Sequence, residues 1–342
     1  MDYLSRRVGS YLLRHSSPRR LLNAMQLYSS YKRSRFLGRS VHRGMPMSIA
    51  VEPTTACNLA CPECPSGLKQ FSRPTGRLRM ELLTELLEET APYLQHMQYY
   101  FQGEPFIHPD ICELFAMSAS KGIYTSTSTN AHFITAQKGE EIVRSGLHQL
   151  TVSIDGSTQA VYEQYRRGGR LEKVLEGTRN VIEARKKLKS RWPLIIFQFL
   201  VVRPNEHQIG DIQKLAKEIG VDALRFKSAQ VYEYEHGNEL IPKNERYSRY
   251  RKQADGSYRI KNVMYNHCWK MWHSCVLTWD GRVVPCCFDK DASHQLGQFS
   301  SAGGFRQIWE SAAYQGFRNA VLKSRSEIDI CTNCTEGTRV WV

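Results

Sequence analysis

No apolar run in this 342-residue chain approaches the roughly 18–20 residues needed to cross a bilayer. The N-terminus also lacks the continuous apolar centre of a secretion signal. Acidic side chains are nearly missing from the first 44 residues. Asp2 stands alone there against Arg6, Arg7, Arg14, Arg19, Arg20, Lys32, Arg33, Arg35, Arg39 and Arg43, a net +9 of the chain's +14. The other residues together carry only +5, so the basic character belongs to the tail and not to the body. A fourth cysteine is lacking where three are crowded: Cys57, Cys61 and Cys64 share one short stretch, and the next is Cys112. A closed structural zinc site wants four ligands, and this stretch offers three. Ten cysteines without a secretion signal point to a reducing, cytoplasmic setting in which clustered thiols ligate metal.

The basic tail is amphipathic in patches, with Tyr3, Leu4, Val8, Tyr11, Leu12 and Leu13, then Leu21, Leu22, Met25, Leu27 and Tyr28, and Pro18 divides it into two helices. It has two readings: peripheral attachment to an anionic membrane or acidic partner, or a helical pair packed on the body with a solvated basic face. A transit peptide would share the Arg/Ser-rich start, but the aromatics and the direct run into the first strand argue against it. A nucleic-acid partner is not expected, because basic residues and stacking aromatics are not interleaved across the body.

From residue 47 short apolar stretches alternate with amphipathic ones, the signature of parallel β/α units. Strands are expected at residues 47–51, 97–101, 124–128, 149–154, 194–201 and 223–226. Helices are expected near 79–94, 110–121, 135–145, 158–188 and 206–219. Six units suit a partial (β/α)6 TIM-like barrel and are too few for a closed eight-stranded one. The division expected is a helical extension over 1–44, the barrel over 45–235 and a cysteine-rich domain over 236–342. Polar loops fall at the same end of successive strands: the three cysteines, then Gln102-Gly103-Glu104-Pro105, Ser128-Thr129-Asn130, Ser153-Ile154-Asp155-Gly156, Val202-Arg203-Pro204-Asn205 and Lys227-Ser228. Each alone is ordinary turn chemistry, but together they form one mouth.

The Cys57-x3-Cys61-x2-Cys64 spacing, with Asn58, Pro62 and Pro65 around it, resembles the cluster loop of the radical S-adenosylmethionine (SAM) superfamily. The resemblance implies a 4Fe–4S cluster on three thiolates whose fourth iron chelates SAM, and reductive cleavage of SAM to a 5′-deoxyadenosyl radical. It extends through the loops. Gly103 and Glu104 are similar to the family's Gly-Gly-Glu-Pro, which holds the methionyl ammonium, although Gln102 replaces the first glycine. Thr129 and Asn130 resemble the polar pair near the SAM ribose or carboxylate, and Ser153 with Asp155 the Ser-x-Asp-Gly near the ribose. Arg166 stands where related enzymes hold the SAM carboxylate, with Arg167 beside it as an alternative. Val201 and Val202 are placed near adenine or simply in the core.

The other six cysteines are Cys268, Cys275, Cys286, Cys287, Cys331 and Cys334. Alternating residues around Asp280-Gly281 read as a β-hairpin that brings Cys275 and Cys286 together at its base. Followed by Leu296-Gly297, a helical stretch over 305–322 and Cys331-x2-Cys334, this resembles the SPASM domain of radical SAM enzymes, in its shortened "twitch" form with one auxiliary cluster. Six cysteines cannot complete two four-thiolate clusters, and eight residues follow Cys334. The ligands implied are Cys268, Cys286, Cys331 and Cys334, with Cys275 as substitute and Cys287 on the opposite hairpin face. The same thiolates would serve zinc, which stays open at this point. Cys112 reads as a small buried hydrophobe.

The function implied is a radical SAM enzyme that abstracts hydrogen from an unidentified peptide or small molecule. Its expected partners are SAM and an electron donor such as flavodoxin or ferredoxin. The alternative is a non-catalytic metal-binding scaffold tethered by its basic tail. No residue presents itself as the general base. Tyr232, Glu233, Tyr234 and Glu235, after the sixth strand, are near the expected pocket, and such a run also suits a surface loop.

Overall fold

The computed structural model describes residues 3–300 and 303–335. Residues 1–2, 301–302 and 336–342, which belong to the expected outer segments, lie outside the described residues, as do the side chains of Tyr3 and Leu4. The six expected strands are present as β1 (Ser48–Val51), β2 (His96–Tyr99), β3 (Tyr124–Thr129), β4 (Gln149–Ser153), β5 (Leu194–Val201) and β6 (Ala223–Ser228). They pair in parallel in chain order. Each is joined to the next through helix, as parallel strands require. The expected helix over 158–188 is two helices, Gln159–Tyr165 and Leu171–Lys187, broken at the Gly168-Gly169 turn. Gly168 has φ +78° there, a conformation open to glycine.

Alternation along the strands separates two faces. Ile49, Val51, Met97, Tyr99, Leu150, Val152, Phe197, Phe199 and Val201 point toward the helices and form the main core. The inner face is mostly small or polar: Ala50, Gln98, Ser126, Thr151, Gln198 and Lys227 alternate with those residues, and β5 also turns Leu194, Ile196 and Leu200 to that side. Polar inner side chains find partners on that face, as in the 2.8 Å bond between His96 Nε2 and Ser126 Oγ. A polar lining keeps the barrel interior from collapsing into core and leaves room for a polar ligand.

After β6, a small hairpin forms from β7 (Tyr250–Lys252) and β8 (Tyr258–Ile260), which the sequence pattern did not reveal. The Asp-Gly hairpin is β9 (Ser274–Leu277) and β10 (Arg282–Val284), continued by β11 (Gly297–Gln298). This hairpin does not stand apart. β9 lies parallel against the open edge of β1, with Ser48 opposite Ser274 and Val51 opposite Leu277, giving one nine-stranded sheet. The exposed edge that an incomplete barrel leaves is thereby paired.

Where β1 ends, Glu52 and Arg73 form a fully buried bidentate ion pair at 2.5 and 2.6 Å. Burial pushes the Glu52 carboxyl up from its usual range, and the two Arg73 bonds oppose that shift. Arg73 also donates to Lys290 O, and Glu52 accepts from Trp279 N at 3.4 Å, so the pair reaches into the hairpin. Trp279 in turn packs flat on Gly76, where a Cβ would come within 2.4 Å of the indole.

The tail forms α1 (Tyr3–His15) and α2 (Pro18–Leu37), separated as Pro18 predicts, with Ser17 capping the second helix. Both pack on the body. Val8 of α1 joins Leu194, Ile196, Trp192 and Ala223 in a small cluster. Tyr11 lies 4.1 Å from the His148 ring and 5.7 Å from Tyr124. Those partners sit at the starts of β3 to β6, so α1 closes the barrel at the end opposite the polar loops. In α2, Tyr31 packs on Trp269 and Trp272, and Asn23 exchanges two 2.8 Å bonds with the Met45 backbone. Buried Arg20 donates to the carbonyls of His15, Gly122, Ala91 and Lys121.

Loss of that fan should free the helical pair. Arg20→Ala is expected to cost about 1–2 kcal/mol of docking, because four part-buried carbonyls lose a charged donor. It would be read as faster protease cleavage within residues 1–44. Arg20→Lys should restore only part, since an ammonium cannot span four acceptors.

Candidate functional site

The loop carrying Cys57, Cys61 and Cys64 leaves the C-terminal end of β1, and the loops after β2, β3 and β4 converge on it. Glu104 is the meeting point. Its backbone N donates to Ala56 O at 2.8 Å, which ties the second loop to the cysteine loop. Its carboxylate accepts from Thr129 Oγ1 at 2.6 Å, from Asn130 N at 2.7 Å and from Phe106 N at 3.2 Å. Burial raises the carboxyl to about 7 despite these donors. Asn130 Nδ2 continues to Asn58 Oδ1, inside the cysteine loop, at 2.7 Å.

Gly103 makes the approach possible. It has φ +74°, and a Cβ there would fall 2.2 Å from Thr54 O and 2.8 Å from Ala56 O. Its N–H donates to Ser66 Oγ at 2.9 Å. Gln102, which stands where the resembled motif has glycine, is buried without disturbing this contact.

On the other side Arg166 turns inward and Arg167 is exposed. Arg166 Nε donates to Asp155 Oδ2 at 2.5 Å, and Nη1 lies 3.8 Å from Cys61 Sγ. Burial alone would lower the guanidinium, but Asp155 and Cys61 beside it hold its pKa well above the ordinary value. Asp155 is itself fixed by Leu200 N at 2.7 Å. Ser153 is buried at the end of β4 on the inner face. Val202 packs with Leu59, Cys61 and Tyr165 near the loop, whereas Val201 belongs to the helix-side core and is away from the mouth.

The sequence reading missed several groups. Tyr100 follows β2 and lies among Cys57, Cys64, Glu104 and Arg166. Its place two residues before Gln102, at a strand end, was the available signal. Lys290 Nζ sits 4.7 Å over the Tyr232 ring, whose backbone N is held by Glu63 of the cysteine loop. Lys290 lies with Arg249, and with Lys227 from the end of β6, near Cys287 in the wall between the two cysteine groups; burial lowers the pKa of all three, that of Lys290 to about 8. Of the residues 232–235, Tyr232 reaches this wall, Tyr234 stacks on Tyr250, and Glu233 and Glu235 are exposed.

Cys268, Cys286, Cys331 and Cys334 line one enclosed space together with Met271, Phe288 and Phe317. Arg325 Nη2 lies 3.2 Å from Cys334 Sγ at its rim. Cys275 is elsewhere: it is buried in the main core beside Tyr314 and Arg318. The hairpin does bring Val276 opposite Val284, but strand alternation sends Cys275 to the helix side. Cys287 faces away from the four-thiol space, packing with Phe101 and Val284, with Lys270 Nζ 3.6 Å from its sulfur. Cys112, half-buried on its helix, packs against the main core.

The donor sets fit iron–sulfur clusters. Burial pushes Cys57 up to about 12 and Cys331 to about 11, and it raises Cys61 and Cys286 as well. Such thiols lose their protons only to a strong local cation, so ligation and deprotonation are coupled. Among the described residues no three His, Cys, Asp or Glu side chains converge on a single point. The four C-terminal thiols line one enclosed space, a thiolate set of the kind that holds a 4Fe–4S cluster.

Comparison with known proteins agrees with this geometry. The model of the radical SAM superfamily matches residues 51–216, and that of an iron–sulfur cluster-binding domain, SPASM, matches residues 268–335. A PqqA peptide cyclase of Gluconobacter oxydans is 27% identical over 260 residues, covering 70% of each chain. An AdoMet-dependent heme synthase of Methanosarcina barkeri is 24% identical over 303 residues, covering 78% of this chain and 83% of that one. Among solved structures, Streptococcus suis SuiB bound to precursor peptide SuiA has TM-score 0.63 at 15% identity, covering 94% of this chain and 76% of SuiB. Native anSMEcpe with bound AdoMet and a Cp18Cys peptide has TM-score 0.60 at 18% identity, covering 86% and 90%. At those identities the structures establish the fold alone. The chain belongs to the radical SAM superfamily and carries a SPASM-type iron–sulfur cluster-binding domain over residues 268–335.

Proposed function

We propose that this protein is an enzyme that cleaves SAM reductively and abstracts hydrogen from a peptide or small-molecule substrate. The family's cofactors are 4Fe–4S clusters and SAM, and the auxiliary cluster belongs to the C-terminal domain. The clusters supply the electron and the open iron that make SAM a radical source. One observation carries the reading: three thiols with an open fourth position share a mouth with Glu104, Asn130, Ser153 and Arg166. A scaffold would have no use for a buried carboxylate and guanidinium aimed at an incomplete metal site.

The roles we assign follow from donor chemistry. Cys57, Cys61 and Cys64 hold the cleaving cluster. Glu104, an acceptor pinned by Thr129 and Asn130, binds the SAM ammonium with the carbonyls around Gly103. Arg166, oriented by Asp155, meets the SAM carboxylate, and Ser153 faces the ribose. Cys268, Cys286, Cys331 and Cys334 hold the auxiliary cluster, and Lys227, Lys290 and Arg249 offset the negative charge of thiolate-ligated iron across the intervening wall. The named relatives include a peptide cyclase and peptide-bound structures, which favours a peptide substrate. The electron donor is taken to be a flavodoxin or ferredoxin.

Reconstituted anaerobically with iron and sulfide, the protein should release 5′-deoxyadenosine from SAM on addition of dithionite. The Cys57→Ala/Cys61→Ala/Cys64→Ala variant should release none, and equal release by both proteins would sink the reading. Iron counts separate the two sites. The triple variant should keep about four irons, Cys286→Ala added to it should lose them, and Cys275→Ala should leave them in place. A pH series tests Glu104. Because its carboxyl is raised to about 7, it is neutral below that pH and loses its attraction for an ammonium. SAM affinity by equilibrium dialysis should therefore fall as pH drops through 7, by up to about tenfold per unit. Glu104→Gln should bind more weakly throughout and flatten that slope.

A further inference from the structure

Helix α2 uses only one side to dock. Asn23, Leu27, Ser30, Tyr31 and Ser34 are buried against the body. At 100° per residue, the opposite side presents Leu22, Met25, Lys32, Arg33 and Phe36. Leu22 is 53% exposed, Met25 61% and Phe36 90%. Leu21 and Leu37 flank them and are also exposed. Among the described residues, seven of the twelve large hydrophobic side chains that are exposed lie between Leu13 and Leu37, so the clustering is not the usual scatter of surface apolar groups. Leu22 and Phe36 stand about 21 Å apart along one face, long enough for a line of contact and not a point.

We propose that this outward face of α2 lies in the headgroup region of an anionic lipid bilayer, with Leu22, Met25 and Phe36 inserted and Lys32, Arg33 and Arg39 on the phosphates. Charge selects this occupant. From Tyr3 to Gly44 the chain holds ten Lys/Arg and no acidic residue. Two copies placed face to face would oppose like charges, which penalises a dimer through this surface. An anionic surface satisfies the cations and accepts the apolar line at the same time. The body's grip on α2 fixes which side is presented, so the apolar line is already formed before contact. It also fixes orientation. The helix crosses the starts of the strands, where Arg20 reaches Lys121 and Gly122 just before β3, while the cysteine loop and Glu104 lie at the strand ends. Docked this way, the mouth faces away from the lipid and admits substrate from water.

The test is co-sedimentation of the reconstituted full chain with unilamellar vesicles of phosphatidylcholine, with and without phosphatidylglycerol. Binding is expected to the anionic vesicles only and to weaken at about 0.5 M salt. Leu22→Ser/Met25→Ser/Phe36→Ser and Lys32→Glu/Arg33→Glu should each weaken it by at least about tenfold. Their helical circular dichroism and iron content should match wild type, since all five side chains point to solvent. The proposal is overturned if wild type stays in the supernatant with anionic vesicles, or if both variants pellet as it does. It is equally overturned if light scattering shows a dimer that the triple serine variant dissolves. The measurement is independent of SAM cleavage, so it stands or falls separately from the enzymatic reading.

Discussion

The buried pair between Glu52 and Arg73 is the constraint on which the rest of the mouth is built. Glu52 is the residue at which β1 stops being a strand and becomes the cysteine-bearing loop. Arg73 lies beyond that loop, so the pair closes it like a clasp and sets where Cys57, Cys61 and Cys64 emerge. Through Lys290 O and Trp279 N the same two side chains reach the hairpin. A buried carboxylate is expensive alone, and removing its partner from such a site typically costs about 3–5 kcal/mol. The geometry is therefore favoured only when the loop, strand and hairpin are all in register.

That register links the two cysteine groups mechanically. β9 pairs with β1 along its whole length, so the strand feeding the first three thiols and the strand beside Cys268 and Cys286 are neighbours in one sheet. Sheets bend and twist, but adjacent hydrogen-bonded strands do not slide freely, because a one-residue slip would exchange the core face for the inner face. The separation between the two sites is thus a property of the sheet. The cationic wall of Lys227, Lys290 and Arg249 occupies the gap.

Much of this was legible in the sequence where periodicity and punctuation coincide. The strand at 194–201 matches β5 residue for residue, and the other five differ from expectation by one or two residues at their ends. The polar loops do converge, because parallel units place every strand's exit on one side. The four C-terminal thiols were separable from Cys275 and Cys287 only in part: alternation displaced Cys287, but which face Cys275 takes depends on β9 meeting β1, a contact between residues more than 200 apart. Lys227 was already placed at the mouth by its loop, but the position of Lys290 was invisible, since a loop lysine ordinarily reads as solvated. The tail showed that it is amphipathic, but not which of its apolar residues dock. Leu27 and Leu22 look alike in sequence, and one is buried while the other faces out.

The grip between α2 and the segment around Trp269 and Trp272 has a consequence for biosynthesis. Chains emerge N-terminus first, so α2 leaves the ribosome long before the surface that buries Tyr31 exists. The edge of β1 waits in the same way for β9. Until about residue 285 has emerged, the nascent chain carries a helix with an uncovered docking face and an unpaired strand edge, both prone to association. The molecule is thus closed by its latest-made segments, and the period before closure is when a holding chaperone, or a lipid surface already taking the outer side of α2, would matter most to its yield.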